Sequence, residues 1–301
     1  MEKLLITGVN GLLGQKVLEQ ASPKFSILGI DLHDEPFIKK IKFEYQKLDL
    51  TNRQAVKAII SSYSPDYLIN TAAMTDVDGC EIQKEKCWKI NVEAVENIVY
   101  AARKTGTKLV HLSSDYIFDG KNGPYSEKSA PKPLGYYGKS KLASENILIS
   151  SESEYAIVRT MVLYGSGIQV RPNFVSWLIE KLKQGDKVTV VTDQFGNPTL
   201  ADDLAMAIIK IIERNKWDIY HISGSELIDR YNFALKIADI FKLNSNLIAS
   251  ITTSELKQPA LRPLKSGFII DKARTDLGIE MFNVEEGLKV LKKQYKKFKL
   301  F

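Results

Sequence analysis

The amino-acid sequence predicts an α/β fold, in which helices cover both faces of a parallel sheet and a smaller C-terminal cap follows. Short apolar runs alternate with helical patterns through the first half of the chain, and this alternation is typical of parallel sheets. A glycine-rich turn connects the first apolar run to the first helical pattern. We expect residues 1–160 to form the sheet domain and residues 161–301 to form mainly the cap, interleaved with the first domain and not independent of it.

Six segments of the first half have the length and apolar character of buried strands. They are KLLITG (3–8), FSILGID (25–31), FEYQKLDL (43–50), DYLINTAA (66–73), KLVHLSSD (108–115) and YAIVRT (155–160). In the second half, VTVVTDQFGNPT (188–199) has the pattern of a strand that runs into a loop. Parallel strands end at one common edge, so the residues that follow them are the first candidates for a binding site.

The segments between the strands have helical periodicity. Thr51 is a suitable N-cap for the second helix, and Gly106 is a suitable C-cap for the long third one. The predicted helices are LLGQKVLEQAS (12–22), TNRQAVKAIISSY (51–63), EKCWKINVEAVENIVYAARKTG (85–106), a helix that GYYGKSKLASE (135–145) opens, ADDLAMAIIKIIERN (201–215) and DRYNFALKIADIFK (229–242).

The last stretch, KVLKKQYKKFKLF, carries much of the net charge of +6. We interpret its lysines as the solvated face of a terminal helix, rather than as a nucleic-acid or membrane patch. The apolar residues expected to turn inward are Val290, Leu291, Tyr295 and Phe298.

The glycine-rich turn TGVNGLLG has the spacing GxxGxxG between a strand and a helix. Gly8 permits a tight turn, Gly11 permits close approach of a pyrophosphate, and Gly14 permits close packing of helix on sheet. The first N–H groups of the helix then face the anion. This context predicts a Rossmann fold, which is a doubly wound parallel sheet, with a dinucleotide site at this turn. The predicted cofactor contacts here are Gly8, Asn10, Gly11, Leu12, Leu13 and Gly14.

Asp31, at the end of the second strand, predicts the identity of the dinucleotide. A carboxylate there accepts hydrogen bonds from an adenosine ribose and repels a 2′-phosphate, which favours NAD(H) and leaves NADP(H) as the alternative. Asp49, with Leu50 beside it, follows the third strand. It either reaches the adenine amino group or begins the turn into the next helix.

Tyr137 and Lys141 are spaced four residues apart at the start of a predicted helix, so they share one face. A neighbouring ammonium favours the phenolate and lowers the pKa of a tyrosine. Ser114, at the end of the fifth strand, can hydrogen-bond both the phenol and a substrate carbonyl. Together the three predict proton delivery to a ketone oxygen while a hydride reaches its carbon.

Composition excludes several other classes of protein. The chain has 301 residues and no run of about 18 apolar residues, and its N-terminus lacks the pattern of a secretory signal, so we expect a cytoplasmic protein without membrane binding. Cys80 and Cys87 form no CxxC pair, so we expect reduced thiols and no metal site. Neither nucleic acid nor a membrane is an expected partner, and a homodimer is left open.

The order of these motifs resembles the extended short-chain dehydrogenase/reductase superfamily. The series NTAAMTDVD, INVEAVENI, SSDYIFDG, PLGYYGKSKLASE, VRTMVLYG, DQFGNPT and ALRPLKSGFIID most resembles the dTDP-4-dehydrorhamnose reductase family. The resemblance implies NAD(P)H-dependent reduction of the 4-keto group of a nucleotide-linked 6-deoxy sugar. Several segments equally resemble the regulatory β subunit of methionine adenosyltransferase, a relative with the same fold.

The resemblance also implies roles for single residues. Ser114, Tyr137 and Lys141 match the catalytic triad, with Tyr137 as general acid. Further cofactor contacts match Ala72, Ala73 and Asn91, the last supporting the active site through the long helix. The positions that surround the sugar match Thr75, Asp76, Val77, Asp115, Tyr116 and Phe118, and Arg262 matches the arginine near the nucleotide diphosphate.

The sequence departs from the reductase pattern in two places. Val162 replaces a tryptophan that lines the sugar pocket, and Gly79 replaces a lysine in VDGCE. Both changes concern the substrate and leave the cofactor motifs intact. Because of these two changes, a second hypothesis is kept: the chain is a regulatory subunit that binds a dinucleotide and docks on methionine adenosyltransferase. A dehydratase would carry an acidic pair after the serine, and Tyr116 breaks that pattern.

Overall fold

The computed structural model describes residues 1–297 and contains thirteen strands within that range. They are β1 (Lys3–Thr7), β2 (Ser26–Asp31), β3 (Glu44–Lys47), β4 (Tyr67–Asn70), β5 (Lys108–Ser114), β6 (Tyr155–Thr160), β7 (Leu163–Tyr164), β8 (Val188–Val191), β9 (Phe195–Gly196), β10 (Thr199–Leu200), β11 (Ile219–His221), β12 (Ile228–Asp229) and β13 (Ile248–Ile251). Seven of them form a parallel sheet in the order β3-β2-β1-β4-β5-β6-β11. The predicted Rossmann-like α/β fold is therefore confirmed.

Twelve α-helices accompany these strands in the described range. They are α1 (Leu12–Ala21), α2 (Arg53–Tyr63), α3 (Val77–Ile82), α4 (Lys84–Trp88), α5 (Ala94–Thr105), α6 (Tyr136–Ile149), α7 (Phe174–Lys183), α8 (Ala201–Glu213), α9 (Arg230–Phe241), α10 (Thr253–Leu256), α11 (Asp271–Leu277) and α12 (Val284–Lys297). A π-helical turn at Lys89–Glu93 joins α4 to α5, and short 3₁₀ turns cover Asp115–Ile117 and Ser245–Leu247.

Alternating side chains of the central strands build a core on each face of the sheet. Leu4 and Ile6 of β1 pack with α1 and α8 on one face, whereas Leu5 packs with α2 and α5 on the other. All three side chains are fully buried. Burial on both faces explains why the strands are continuous apolar runs rather than alternating polar and apolar patterns.

The cap is built around a second apolar core. Helices α7, α9 and α12 pack against the two-stranded pairings of β8 with β13 and of β7 with β10. Fully buried Phe233 and Leu288 lie within this core. The cap and the end of β5 enclose one cavity, which is lined both by Tyr116 and by residues of α7 and α9.

The structure corrects several predicted element boundaries. Asn52, not Thr51, caps α2: its side chain accepts from Ala55 N, while Thr51 donates to Asp49 Oδ1 from its backbone and its hydroxyl. The single long helix of residues 85–106 is interrupted by the π-helical turn, although Gly106 ends it as predicted. The sequence pattern also missed β11, the seventh strand, which has three residues and comes from the second half.

The terminal helix partly confirms its prediction. Leu291 and Tyr295 are buried and Val290 is half-buried, whereas Phe298 lies outside the described residues. Across residues 1–297, no helix has both the length and the apolar character needed to cross a membrane.

Candidate functional site

The turn between β1 and α1 has the shape of a phosphate cradle. Gly8 has a φ of +67°, and a Cβ there would lie 2.9 Å from Ala72 N. A Cβ at Gly14 would lie 2.2 Å from Gly8 O, whereas one at Gly11 meets only Gly8 O at 3.2 Å. No side chain caps the N-terminus of α1. The first turn of the helix is therefore open to an anion, and the residues present fit the pyrophosphate of a dinucleotide.

Asp31 lies beside this turn with its carboxylate held by the protein. It accepts hydrogen bonds from Asn10 N at 3.0 Å and Leu32 N at 2.8 Å, and His33 Nδ1 lies 2.8 Å from the same carboxylate. The side chain of Asn10 is 4% exposed and is hydrogen-bonded to Glu35 O and Phe37 N, so it fixes the loop that follows Asp31. Its predicted contact with a cofactor stays a prediction.

The loop after β4 presents small residues to the glycine turn. Ala72 and Ala73 are half-buried there, as their predicted closeness to a cofactor requires. Asn91 holds this loop: it accepts from Met74 N at 2.8 Å and donates to Met74 O at 3.0 Å. Asn91 is only 1% exposed and positions this loop, which agrees with its predicted supporting role, while direct cofactor contact stays a prediction. The π-helical turn carries it, as such turns often do at functional sites.

Asp49 and Leu50 lie at the adenine end of the predicted site. Asp49 is exposed, and its Oδ1 accepts from Thr51 N and Thr51 Oγ1, both at 2.9 Å. The carboxylate therefore begins the turn into α2, which is one of its two predicted roles.

Ser114, Tyr137 and Lys141 come together at the carboxyl end of β5. All three are buried, at 8%, 8% and 3% exposure. The edge of the Tyr137 ring meets Tyr116, with ring centroids 5.4 Å apart. Burial raises the pKa of Tyr137, and the neighbouring Ser114 hydroxyl acts in the opposite direction. The phenol therefore keeps its proton at neutral pH, as a general acid must.

The effect of Lys141 that the sequence predicts is not the largest influence on the pKa of Tyr137. The expected effect was a lowered pKa of the tyrosine, but burial dominates and raises it. Lys141 Nζ instead lies 3.4 Å from Nε2 of His111 on β5. Burial also lowers the pKa of Lys141, to about 8.

The predicted sugar-binding residues divide into two groups. Asp115 and Tyr116 adjoin the triad: Asp115 accepts from Ser114 Oγ at 3.0 Å and from Ser266 Oγ at 2.9 Å, and burial raises its pKa. Phe118 has no exposed surface and stacks on Tyr125 with centroids 4.3 Å apart. Phe118 therefore lies in the core, and its predicted place beside the sugar stays a prediction.

Thr75, Asp76 and Val77 lie on the loop that leads into α3. Thr75 and Asp76 are exposed and Val77 is half-buried. Asp76 is the N-cap of α3 and accepts from Gly79 N at 3.0 Å. A Cβ at Gly79 would lie 2.5 Å from Asp76 Oδ2, which gives a local reason for the glycine where the reductase pattern has lysine.

A cavity of about 710 Å³ is lined mainly by cap residues, and it borders the triad region through Tyr116. Arg262, for which the sequence predicts a place near the diphosphate, lines the cavity, and Asp78 holds its guanidinium with two hydrogen bonds of 2.9 and 2.7 Å. Arg230, the first residue of α9, also lines the cavity, above the ring of Phe174 at 5.3 Å. Arg230 forms no salt bridge within residues 1–297, so it is a cation available to an anionic ligand.

Sequence reasoning missed Arg230 and His111. Arg230 follows the N-cap Asp229, and nothing in its local pattern separates it from an exposed helical arginine. His111 lies among apolar residues of a strand, so its sequence context predicts a core residue. Only the assembled fold reveals that one side chain enters the cavity and the other contacts Lys141.

Val162 stands at the junction between the sheet and the cap, where the reductase pattern has tryptophan. Its φ is +45°, an uncommon conformation for a β-branched residue, and it packs against both apolar cores. The two cysteines are buried free thiols beside Tyr137. Within residues 1–297 no cluster of three or more His, Cys, Asp or Glu side chains could hold a metal ion.

The chain is similar to known proteins along nearly all of its length. A family model described as RmlD substrate binding domain matches residues 1–297. The dTDP-4-dehydrorhamnose reductase of Aggregatibacter actinomycetemcomitans is 33% identical, covering 96% of this chain and 98% of that protein. Methionine adenosyltransferase 2 subunit beta of Xenopus tropicalis is 35% identical, covering 83% of this chain and 75% of that protein.

Solved structures agree with this result. The crystal structure of dTDP-4-dehydrorhamnose reductase from Bacillus anthracis in complex with NADP is 32% identical and covers 97% of this chain and 99% of its own, with a TM-score of 0.88. The chain is thus similar in sequence and in fold to proteins that carry this name.

Proposed function

The chain belongs to the RmlD substrate binding domain family, and we propose that it is an NAD(P)H-dependent oxidoreductase that reduces the 4-keto group of a nucleotide-linked 6-deoxy sugar. One observation carries the proposal: Ser114, Tyr137 and Lys141 meet at the carboxyl end of β5, beside a cavity that also contains an unpaired arginine. A subunit that binds a dinucleotide but catalyses no reaction would not need these three side chains.

The buried triad supports a division of roles in the reaction. The reduced nicotinamide supplies the hydride when it is bound. Tyr137 donates its proton to the carbonyl oxygen, because its raised pKa keeps the phenol protonated until charge develops on that oxygen. The Ser114 hydroxyl, which donates to Asp115 Oδ1 in the structure, would turn to donate to the same oxygen and polarise the carbonyl. Lys141 holds the nicotinamide ribose and its positive charge favours the phenolate that forms.

The cavity supports a nucleotide diphosphate as the anionic part of the substrate. We assign the diphosphate to Arg230 first, because its side chain is half-buried and forms no salt bridge within residues 1–297, and to Arg262 second, because Asp78 already neutralises it. Trp177 and Phe174 line the same cavity and offer aromatic faces to the base. We propose that Thr75, Asp76 and Val77 complete the sugar side.

The direct test is oxidation of NADH and of NADPH in the presence of dTDP-4-dehydro-6-deoxy sugars, followed by identification of the sugar product. Consumption of the cofactor with formation of a 4-hydroxy sugar supports the proposal. A protein that binds the dinucleotide but converts none of these sugars contradicts it.

A regulatory subunit is the second candidate, favoured by the similarity to methionine adenosyltransferase 2 subunit beta and by Val162 in place of the tryptophan. Addition of the chain to a methionine adenosyltransferase would then change the rate of that enzyme. The complete triad favours the reductase.

Arg230→Gln is expected to raise the KM for the nucleotide sugar by roughly 10–100-fold with a smaller change in kcat, since one charge-assisted hydrogen bond to the diphosphate is lost. Steady-state kinetics measure both constants. The matched variant Arg262→Gln should in addition lower the melting temperature, because it leaves Asp78 unpaired. An unchanged KM for Arg230→Gln would mean that a cation other than Arg230 binds the diphosphate.

Asp31→Asn is expected to improve NADPH relative to NADH by about tenfold, because it removes a negative charge near a 2′-phosphate while keeping the size of the side chain. Dissociation constants for both cofactors, measured by fluorescence titration of wild type and variant, give the ratio. Lys47→Gln, which alters another charge on the neighbouring strand, is the control and should leave the ratio nearly unchanged. A wild type that strongly prefers NADPH would refute this role of Asp31.

A further inference from the structure

A chain of buried polar side chains runs through the sheet and ends at Lys141. Thr7 Oγ1 lies 2.6 Å from Asn70 Oδ1, and Asn70 Nδ2 lies 3.1 Å from His111 Nδ1. On the other side of the ring, His111 Nε2 lies 3.0 Å from Ser144 Oγ and 3.4 Å from Lys141 Nζ. The five side chains come from β1, β4, β5 and α6, and each is at most 4% exposed. None of them is therefore in contact with bulk water.

The distances identify the donor and the acceptor of each hydrogen bond in this series of buried side chains. A separation of 2.6 Å is typical of an O–H···O hydrogen bond and short for N–H···O, so Thr7 donates to the oxygen of the Asn70 amide. The amide nitrogen of Asn70 then donates to His111 Nδ1, which has to be unprotonated. Burial and the charge of Lys141 keep His111 neutral, since both lower its pKa. Its single proton is consequently on Nε2.

The same direction continues on the helix side. Ser144 Oγ donates its own proton to Lys141 O at 2.7 Å, so it accepts the proton of His111 Nε2. His111 therefore presents an N–H group, and not a lone pair, toward Lys141 Nζ. Within residues 1–297 no carboxylate forms a salt bridge with Lys141, and His111 is its one side-chain neighbour at hydrogen-bond distance.

We propose that His111 is a positioning residue for Lys141. The hydrogen bonds from Thr7 and Asn70 hold His111 as the Nε2–H tautomer, so His111 offers the Lys141 ammonium no acceptor. The ammonium therefore stays available to bind the ribose hydroxyls of the nicotinamide nucleotide. The proposal rests on the proposed function only in the ribose contact of Lys141. It deepens that function because it explains why a buried lysine is left without a permanent partner.

The arrangement has a consequence for pH. The groups that face Lys141 are Tyr137 and Glu145 on its own helix, His111 on β5, and Cys80 and Cys87 on α3 and α4. Glu145 favours the ammonium, but it is engaged by Arg159 at 2.7 Å. Burial prevails and lowers the pKa of Lys141 to about 8. An N–H donor beside the amine favours the uncharged form as well, so ribose binding by the ammonium should weaken as pH rises through about 8.

The tautomer can be observed directly. The chain contains three histidines, so nitrogen-15 NMR of the imidazoles, with His111→Gln for assignment, identifies the protonated nitrogen of His111. We expect Nε2–H in the wild type. Thr7→Val removes the first donor without adding charge, frees the Asn70 amide to turn its oxygen toward the ring, and should move the proton to Nδ1. A wild type with Nδ1–H, or a Thr7→Val protein that retains Nε2–H, overturns the proposal.

The functional effect is measured by cofactor affinity rather than by turnover. We expect the pH midpoint above which NADH or NADPH binding weakens to move upward in Thr7→Val, on the order of one pH unit, because Nε2 becomes an acceptor that stabilises the ammonium. Asn70→Asp, whose carboxylate accepts from Nδ1, should shift the midpoint in the same direction and further. Melting curves verify that the variants fold.

An inverted tautomer with an unchanged midpoint overturns the proposal, because His111 would then have only a structural role. Neither measurement requires the sugar. If the expected tautomer and pH shift are found but no keto sugar is reduced, the proposed substrate fails while the role of His111 stands.

Discussion

Tyr137→Phe is expected to reduce turnover of the 4-keto nucleotide sugar by about 10²–10⁴-fold, the range typical of a lost general acid, while NAD(P)H affinity stays within a few fold. The ring is 8% exposed and packs against Tyr116 and the two buried cysteines, so phenylalanine fills the same space. Only the proton donor is lost. Single-turnover oxidation of bound NADPH or NADH, followed by absorbance, measures the chemical step directly.

The neighbouring tyrosine provides a matched control. Tyr136 is half-buried one residue earlier on α6, and its ring lies 6.3 Å from Trp88 rather than at the triad. Tyr136→Phe should therefore turn over the sugar at close to the wild-type rate. If both variants retain full activity, Tyr137 is a packing residue and the regulatory-subunit hypothesis becomes the better one.

The sequence was sufficient for those parts of the site that depend on local structure. Gly8, Gly11 and Gly14 have fixed spacing between one strand and one helix, and the structure shows the close approach that the first and third require. Tyr137 and Lys141 lie on one face of α6 because the helix begins at Tyr136, after its N-cap Gly135, and includes both residues. Patterns of this kind are set by residues near one another in the chain, so they can be recognised without tertiary information.

Contacts between distant residues limited the rest of the prediction. Asp115 is held by Ser266, which is 151 residues away, and Arg262 is paired with Asp78 across 184 residues. Phe118 follows the triad serine closely, but the chain turns it into an aromatic stack with Tyr125. Nothing local to these residues determines which of them face the cavity, because that choice depends on how the cap packs against the sheet.

The conformation of β11 and the cap illustrates the same limit. β11 has only three residues, and it belongs to the central sheet through its pairing with β6 rather than through a long apolar run of its own. Tyr220 is nevertheless almost fully buried in the main core. The predicted boundary between the sheet domain and the cap near residue 160 therefore stays a prediction, because the central sheet also contains β11, which lies beyond that boundary.

Gly11→Val is expected to weaken NAD(P)H binding by about 100-fold or more while leaving the melting temperature nearly unchanged. Gly11 has φ −68° and ψ 164°, an extended conformation that any residue adopts, and a Cβ there meets only Gly8 O, at 3.2 Å. The added side chain occupies the space in front of the open N-terminus of α1. Loss of one or two charge-assisted hydrogen bonds to the pyrophosphate is enough to explain an effect of this size.

Gly14→Ala is the variant that separates a binding defect from a folding defect. A Cβ at Gly14 would lie 2.2 Å from Gly8 O and 2.8 Å from Val9 Cα, so helix α1 has to move away from the sheet. We expect a clearly lower melting temperature for Gly14→Ala and, for Gly11→Val, a loss of affinity alone. Isothermal titration with NADH and NADPH, together with calorimetric melting of the same samples, measures both quantities. Undiminished cofactor affinity in a folded Gly11→Val protein would mean that the pyrophosphate does not bind at this turn.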